Sequence, residues 1–81
     1  MWSCYHLMRT GGVTVYIGIT SRSPTARETE HRLEGKMFTY QTVKELKYTE
    51  VAARQWERLE LAEYRRSHNG QNPLYNNDSD G

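Results

Sequence analysis

Five residues in this 81-residue chain have side chains suited to chemistry and positions that let them meet: Tyr5, Tyr16, Arg27, His31 and Glu57. An arginine stays charged at any working pH, and its planar fork fits two phosphate oxygens. A carboxylate is the hard oxygen ligand that Mg²⁺ prefers, with several waters retained on the ion. A tyrosine is a base only when ionised. Its ordinary pKa near 10 leaves roughly one phenol in a thousand as phenolate at pH 7, a cost of about 4 kcal/mol. Hydrolysis of a phosphodiester calls on such parts: a metal, a water, a group to deprotonate it and positive charge on the developing phosphorane. Each residue also has an ordinary alternative. Glu57 could be a solvated helix charge beside Arg54 or Arg58, and Arg27 a surface partner of Glu30 or Glu34. Tyr5 and Tyr16 could be amphipathic sheet residues, and His31 a surface histidine.

The elements that would position these residues are legible in outline. Trp2–Met8 is short and apolar, Arg9-Thr10-Gly11-Gly12 is a turn signal, and Val13–Ile19 is strongly β-prone, which together predict a hairpin. Strict alternation along the second strand puts Val13, Val15, Ile17 and Ile19 on a core face and Thr14, Tyr16 and Gly18 on the other. Ser23 is a good N-cap and Pro24 fits the first helical position, so a helix is expected to run to about Leu33 and end at Gly35. Arg27 and His31, four apart, share one face of it. Thr39–Leu46 reads as a third strand with Tyr40, Thr42 and Leu46 inward. Thr49 caps a helix from Glu50 to about Ser67 that ends near Asn69-Gly70. Ala52, Trp56 and Leu59 make an apolar stripe on it, and Ala53, Glu57, Leu61 and Tyr64 a neighbouring one, which sets Glu57 at the edge of the buried face. Gln71–Asn76 is expected to be extended and to pack back on the sheet. The order β-β-α-β-α predicts an α+β fold, a small antiparallel three-stranded sheet flanked by helices.

Composition bounds the rest. Residues 1–76 are expected to form a single domain and 77–81 a polar, flexible tail. Hydrophobic residues are 36% and charged residues 26%, a globular balance. No apolar run approaches the ~20 residues of a membrane span, and the first dozen residues lack a signal-peptide core, so a cytoplasmic protein without a membrane partner is expected. Cys4 is alone, which excludes an internal disulfide, and no Cys/His cluster offers a structural zinc site. Net charge is only +1, but eight of the eleven basic residues are arginine. His6 and His68 read as unexceptional, and Trp2 and Trp56 as core.

The ordered series resembles the GIY-YIG nuclease superfamily, named for two short motifs on adjacent strands. Tyr5 closes Ser3-Cys4-Tyr5, and Tyr16-Ile17-Gly18 follows eleven residues after Tyr5. Then come Arg27-x-x-x-His31, Ala53-x-x-x-Glu57 and a final Asn76. The second triplet is intact, whereas Ser3 and Cys4 stand where the family has Gly and Ile. The resemblance spans Tyr5 to Asn76. It implies a metal-dependent endonuclease acting on DNA, with RNA left open and Mg²⁺ as cofactor, replaceable by Mn²⁺. It implies that Glu57 ligates the metal, that Tyr5 is the general base, and that Tyr16, Arg27 and His31 position and stabilise the phosphate. Arg22 and Asn76 are expected to contact the substrate, Asn76 also anchoring the last segment, with Asn72 and Asn77 as other candidates for that anchor. Gly18 is expected to be structural. A tyrosine base requires the site to depress its pKa, so activity is expected to rise with pH. The competing expectation is a catalytically inactive domain of this fold that binds nucleic acid or protein. A homodimer or a separate targeting partner is compatible with either.

Overall fold

The structure, a computed structural model, describes residues 1–76, and the tail expected at 77–81, with Asn77, lies outside them. The elements are β1 (Trp2–Arg9), β2 (Val13–Thr20), α1 (Pro24–Leu33), β3 (Tyr40–Lys47) and α2 (Glu50–Ser67). They form an α+β fold with one antiparallel three-stranded sheet in the order β2-β1-β3. β1 is therefore central, and its residues Cys4, Tyr5 and Leu7 are fully buried.

Local chemistry accounts for the boundaries. Gly11 and Gly12 both take positive φ, 92° and 79°, in the tight turn between β1 and β2, a conformation open to glycine at little cost. Ser23 Oγ accepts from the Ala26 N–H at 3.4 Å, with Pro24 as the first residue of α1. Thr49 Oγ1 accepts from the Ala52 N–H at 3.1 Å and starts α2.

Tyr5 and His6 are neighbours on a strand and so point to opposite faces. Tyr5 meets α1 through His31, and His6 meets α2 through Glu60, so the helices cover opposite faces of the sheet. On the α1 face Tyr5, Leu7, Val15 and Phe38 form a core against which Tyr16 and Tyr75 pack. The membership of Val15 overturns the expected alternation in β2. Leu7 pairs with Tyr16 but Met8 pairs with Thr14, so Val15 is the extra residue of a β-bulge. The bulge carries Val15 onto the same face as Tyr16. Thr14 moves to the α2 face, where its Oγ1 lies 3.2 Å from His6 Nδ1. Val13, expected in the core, is exposed.

A second bulge, between Cys4 and Tyr5 as they pair with Glu45 and Val43, breaks the alternation of β3. That strand is an edge, and Tyr40 and Leu46, expected inward, are exposed. On α2 the covered face draws on both stripes, with Ala52 half-buried. Ala53 is fully buried, Trp56, Glu57, Glu60, Leu61 and Tyr64 are half-buried, and Leu59 is exposed.

The closing segment packs on the free edge of β2, as expected of it, but it is not extended throughout: Leu74 and Tyr75 form a turn that the Asn76 N–H closes onto Pro73 O at 3.0 Å. Tyr75 N–H donates to Val15 O at 2.8 Å. Its hydroxyl accepts from Met37 N–H at 3.0 Å and from Arg9 Nη2 at 3.2 Å, which ties this segment to the end of β1 and to the loop after α1.

Candidate active site

The site grows from Gly18. Tyr5 pairs with Gly18 across the β1–β2 ladder, and a Cβ at Gly18 would lie 2.8 Å from the Tyr5 hydroxyl and 2.5 Å from Tyr16 Cε2. Only hydrogen in place of a side chain lets both rings lie over the strand at this point. What approaches Gly18 is two phenol rings rather than a neighbouring backbone. The rings sit with centroids 6.1 Å apart.

α1 brings His31 over this pair. His31 is fully buried, its ring centroid 4.8 Å from that of Tyr16 and its Nε2 2.7 Å from the Tyr5 hydroxyl. Burial, together with the cations Arg27 and Lys36, lowers the pKa of His31 from 6.5 to about 4, so the ring is neutral at neutral pH. A neutral imidazole has one donor and one acceptor nitrogen. With Nε2 accepting from the phenol, the ring proton sits on Nδ1, which faces Glu34 Oε1 at 3.7 Å and has no hydrogen-bond partner among the described residues.

Both phenols are pushed above the ordinary tyrosine range, by burial first. Arg27 pulls both down, and the Glu57 carboxylate, close enough to act on each, raises them. The expected depression of the tyrosine pKa is therefore reversed: the desolvation of two rings packed between sheet and helix outweighs a single guanidinium.

Arg27 and His31 share a face of α1, as their spacing predicts. Arg27 Nη1 lies 2.9 Å from Glu30 Oε1 and 3.8 Å from Glu34 Oε2, so its surface-partner reading also holds. Glu30 is shared with Arg22, which stays exposed and meets the group only through that carboxylate. Glu57 is half-buried one turn after Ala53. Burial raises its pKa and only Arg54 counters it, while Arg54 itself bonds Glu50 at 2.8 Å. Among the described residues no group of three or more His, Cys, Asp or Glu is placed to hold a metal. Asn76 spends its amide on the strand: Oδ1 accepts from Ile17 N–H at 2.8 Å and Nδ2 donates to Ile17 O at 2.9 Å. It extends the ladder by one side-chain bridge beside Tyr16 and Gly18, which is the anchor expected of it. Asn72, an alternative for that anchor, instead accepts from Arg65.

Lys36 and His6 carried no functional signal in the sequence reading. Lys36 Nζ lies 5.4 Å from the Tyr16 ring centroid. A lysine one residue after a helix-ending glycine gives no hint of that placement. His6, set between Thr14 and Glu60, binds β1 to β2 and α2 on the far face. Its position next to Tyr5 on a strand was the available signal.

No family model, curated protein or solved structure matches the chain.

Proposed function

We propose that the chain is a metal-dependent endonuclease that hydrolyses phosphodiester bonds in DNA. The observation that supports this most directly is the Tyr5 hydroxyl held 2.7 Å from a neutral, buried His31 in a cluster that also includes Tyr16, with Arg27 and Glu57 in electrostatic reach. A phenol with a raised pKa is a poor free phenolate. A phenol already bonded to an imidazole acceptor needs no free phenolate. Tyr5 takes the proton of the attacking water as its own proton passes to His31 Nε2, a transfer that burial, Arg27 and Lys36 oppose and that Glu34 and the negative charge of the bound phosphate favour. Tyr16 orients the water or the phosphate, and Arg27 carries the charge that builds on the phosphate oxygens.

Glu57 suits a divalent cation as its single protein ligand, because it is half-buried and forms no ion pair among the described residues, its nearest counter-charge Arg54 being bonded to Glu50. Mg²⁺ there would polarise the phosphate and stabilise the leaving oxygen, with water and substrate completing its coordination. One carboxylate makes for weak metal binding in the absence of DNA.

The test is supercoiled plasmid with Mg²⁺, with Mn²⁺ and with chelator, beside a Glu57→Gln variant. Metal-dependent nicking that the variant loses is the expected outcome. Absence of cleavage of plasmid, single strands, branched DNA and RNA under every metal would sink the nuclease reading. It would leave the second one, a domain that binds without cutting, which the hold of Glu30 on Arg27 favours.

A further inference from the structure

On the side of the loop after α1, joined to the tyrosines through Lys36, lies an open cleft of about 600 Å³. Among the described residues three cations line it, Arg9, Arg32 and Lys36, together with Met37 and Phe38, and no carboxylate does. Two of the cations are partly compensated from outside: Arg32 bonds Glu28 at 3.1 Å and Lys36 bonds Glu34 at 2.8 Å. Arg9 has no carboxylate partner among the described residues. Its Nε donates to Met37 O at 3.0 Å and its Nη2 to the Tyr75 hydroxyl, so neutral groups fix its direction and leave its charge unbalanced. Arg32 lies 4.0 Å from the Phe38 ring centroid, flanking an apolar floor, and Met37 is 71% exposed at the rim. Lys36 belongs to both places, lining the cleft and standing over the Tyr16 ring.

We infer that this cleft holds the DNA strand that flanks the scissile phosphate. The lining suits an anion with apolar faces, and Lys36 links the cleft to the Tyr16 ring. A nucleic-acid strand offers both, with phosphates for Arg9 and Lys36 and sugar or base faces for Met37. The inference rests on the nuclease reading for the identity of the strand, but not on cleavage for its test.

The test is fluorescence anisotropy with a labelled DNA duplex in chelator, over a salt series, for the wild type, Arg9→Gln and Lys36→Gln. Each phosphate that no longer meets a cation lowers the slope of log affinity against log salt by about 0.9. Each variant is therefore expected to bind several-fold more weakly near 0.1 M salt and with a slope reduced by about one. Circular dichroism establishes that each is folded. Arg9 also supports Met37 and Tyr75, so Lys36→Gln, which gives up the pair with Glu34 and the contact with the Tyr16 ring but no backbone support, keeps the inference testable if Arg9→Gln unfolds. Folded variants with wild-type affinity and slope would overturn it, and plasmid cleavage, measured separately, would leave the nuclease reading standing. Polyglutamate that displaces the duplex as well as unlabelled DNA does would also overturn it, in favour of an acidic protein partner. A wild type that binds no duplex ends it outright. Slope changes with no cleavage under any metal would retain the cleft and end the nuclease reading.

Discussion

At the scale of the residue, the Tyr5–His31 pair sets how activity should depend on pH. A phenol acting alone would give a rate that climbs about tenfold per pH unit below its pKa. A phenol handing its proton to a neutral imidazole gives a flatter profile, falling only as His31 protonates toward pH 4. The measurement is kcat/KM against pH for the wild type and His31→Gln. The variant is expected to be slower at pH 7 and to recover the steep alkaline rise. Tyr5→Phe keeps the ring and removes the hydroxyl, and a lost general base lowers the rate by roughly 10²–10⁴-fold. It also leaves Nε2 of a buried ring without its partner, at a cost of about 1–3 kcal/mol, which a urea titration reads. Glu57 has the opposite balance. Its folded pKa is raised, so the native state disfavours its charge at every pH above the ordinary carboxylate range. Glu57→Gln is therefore expected to lose cleavage and to melt no lower than the wild type at pH 7, the signature of a residue kept for function at some cost in stability.

At the scale of the element, β2 explains the site better than any single side chain does. Its bulge rotates the strand between Thr14 and Tyr16, so that Val15 serves the core while Tyr16 stays on the Tyr5 face. Gly18 then leaves the space that both rings occupy. Gly18→Ala puts a methyl where Tyr16 Cε2 and the Tyr5 hydroxyl now are, at 2.5 and 2.8 Å. Overpacking of that kind costs about 1–3 kcal/mol. The rings must also move, so cleavage is expected to fall further than the loss of stability accounts for, measured under conditions where the variant is fully folded. Asn76→Ala opens the outer edge of the same strand by removing both bonds to Ile17. Two hydrogen bonds of ordinary strength imply a loss of roughly 1–3 kcal/mol, and faster amide exchange at Ile17 would localise it to this edge.

At the scale of the whole molecule, a chain of this length buries only about 60–65% of the surface it exposes when unfolded, so its margin is thin. Buried neutral histidines use part of that margin in acid. Unfolded His31 takes a proton near pH 6.5, whereas folded His31 waits until about 4. Between those values the unfolded chain binds more protons, so stability falls as pH drops through that window and is independent of His31 above it. The shift corresponds to a loss of up to about 3 kcal/mol, or roughly 10–20 °C in Tm for a domain of this size. His6 adds to the loss with the same sign, its pKa lowered by burial against the pull of Glu60. A series of melting curves from pH 7.5 to 4 checks this, and the drop is expected to be smaller in His31→Gln.

The sequence by itself determined the elements. Caps at Ser23 and Thr49, the paired glycines of the first turn and the β-branched run of β2 act over a few residues, so α1, α2 and the hairpin are legible without the fold. It also determined which residues share a helix face, because Arg27 and His31 are tied by the helical repeat. Tertiary structure alone decided the faces of the strands. Bulges at Val15 and between Val43 and Glu45 shift the alternation by one, and an extra residue is invisible to a period of two. It decided where the buried face of α2 is centred, since Ala53 is fully buried where Leu59 is left outside. It decided the protonation of the site as well. A tyrosine in a sequence has one pKa, and only packing between a central strand and a helix turns Tyr5 into a phenol that keeps its proton and His31 into a base that stays neutral.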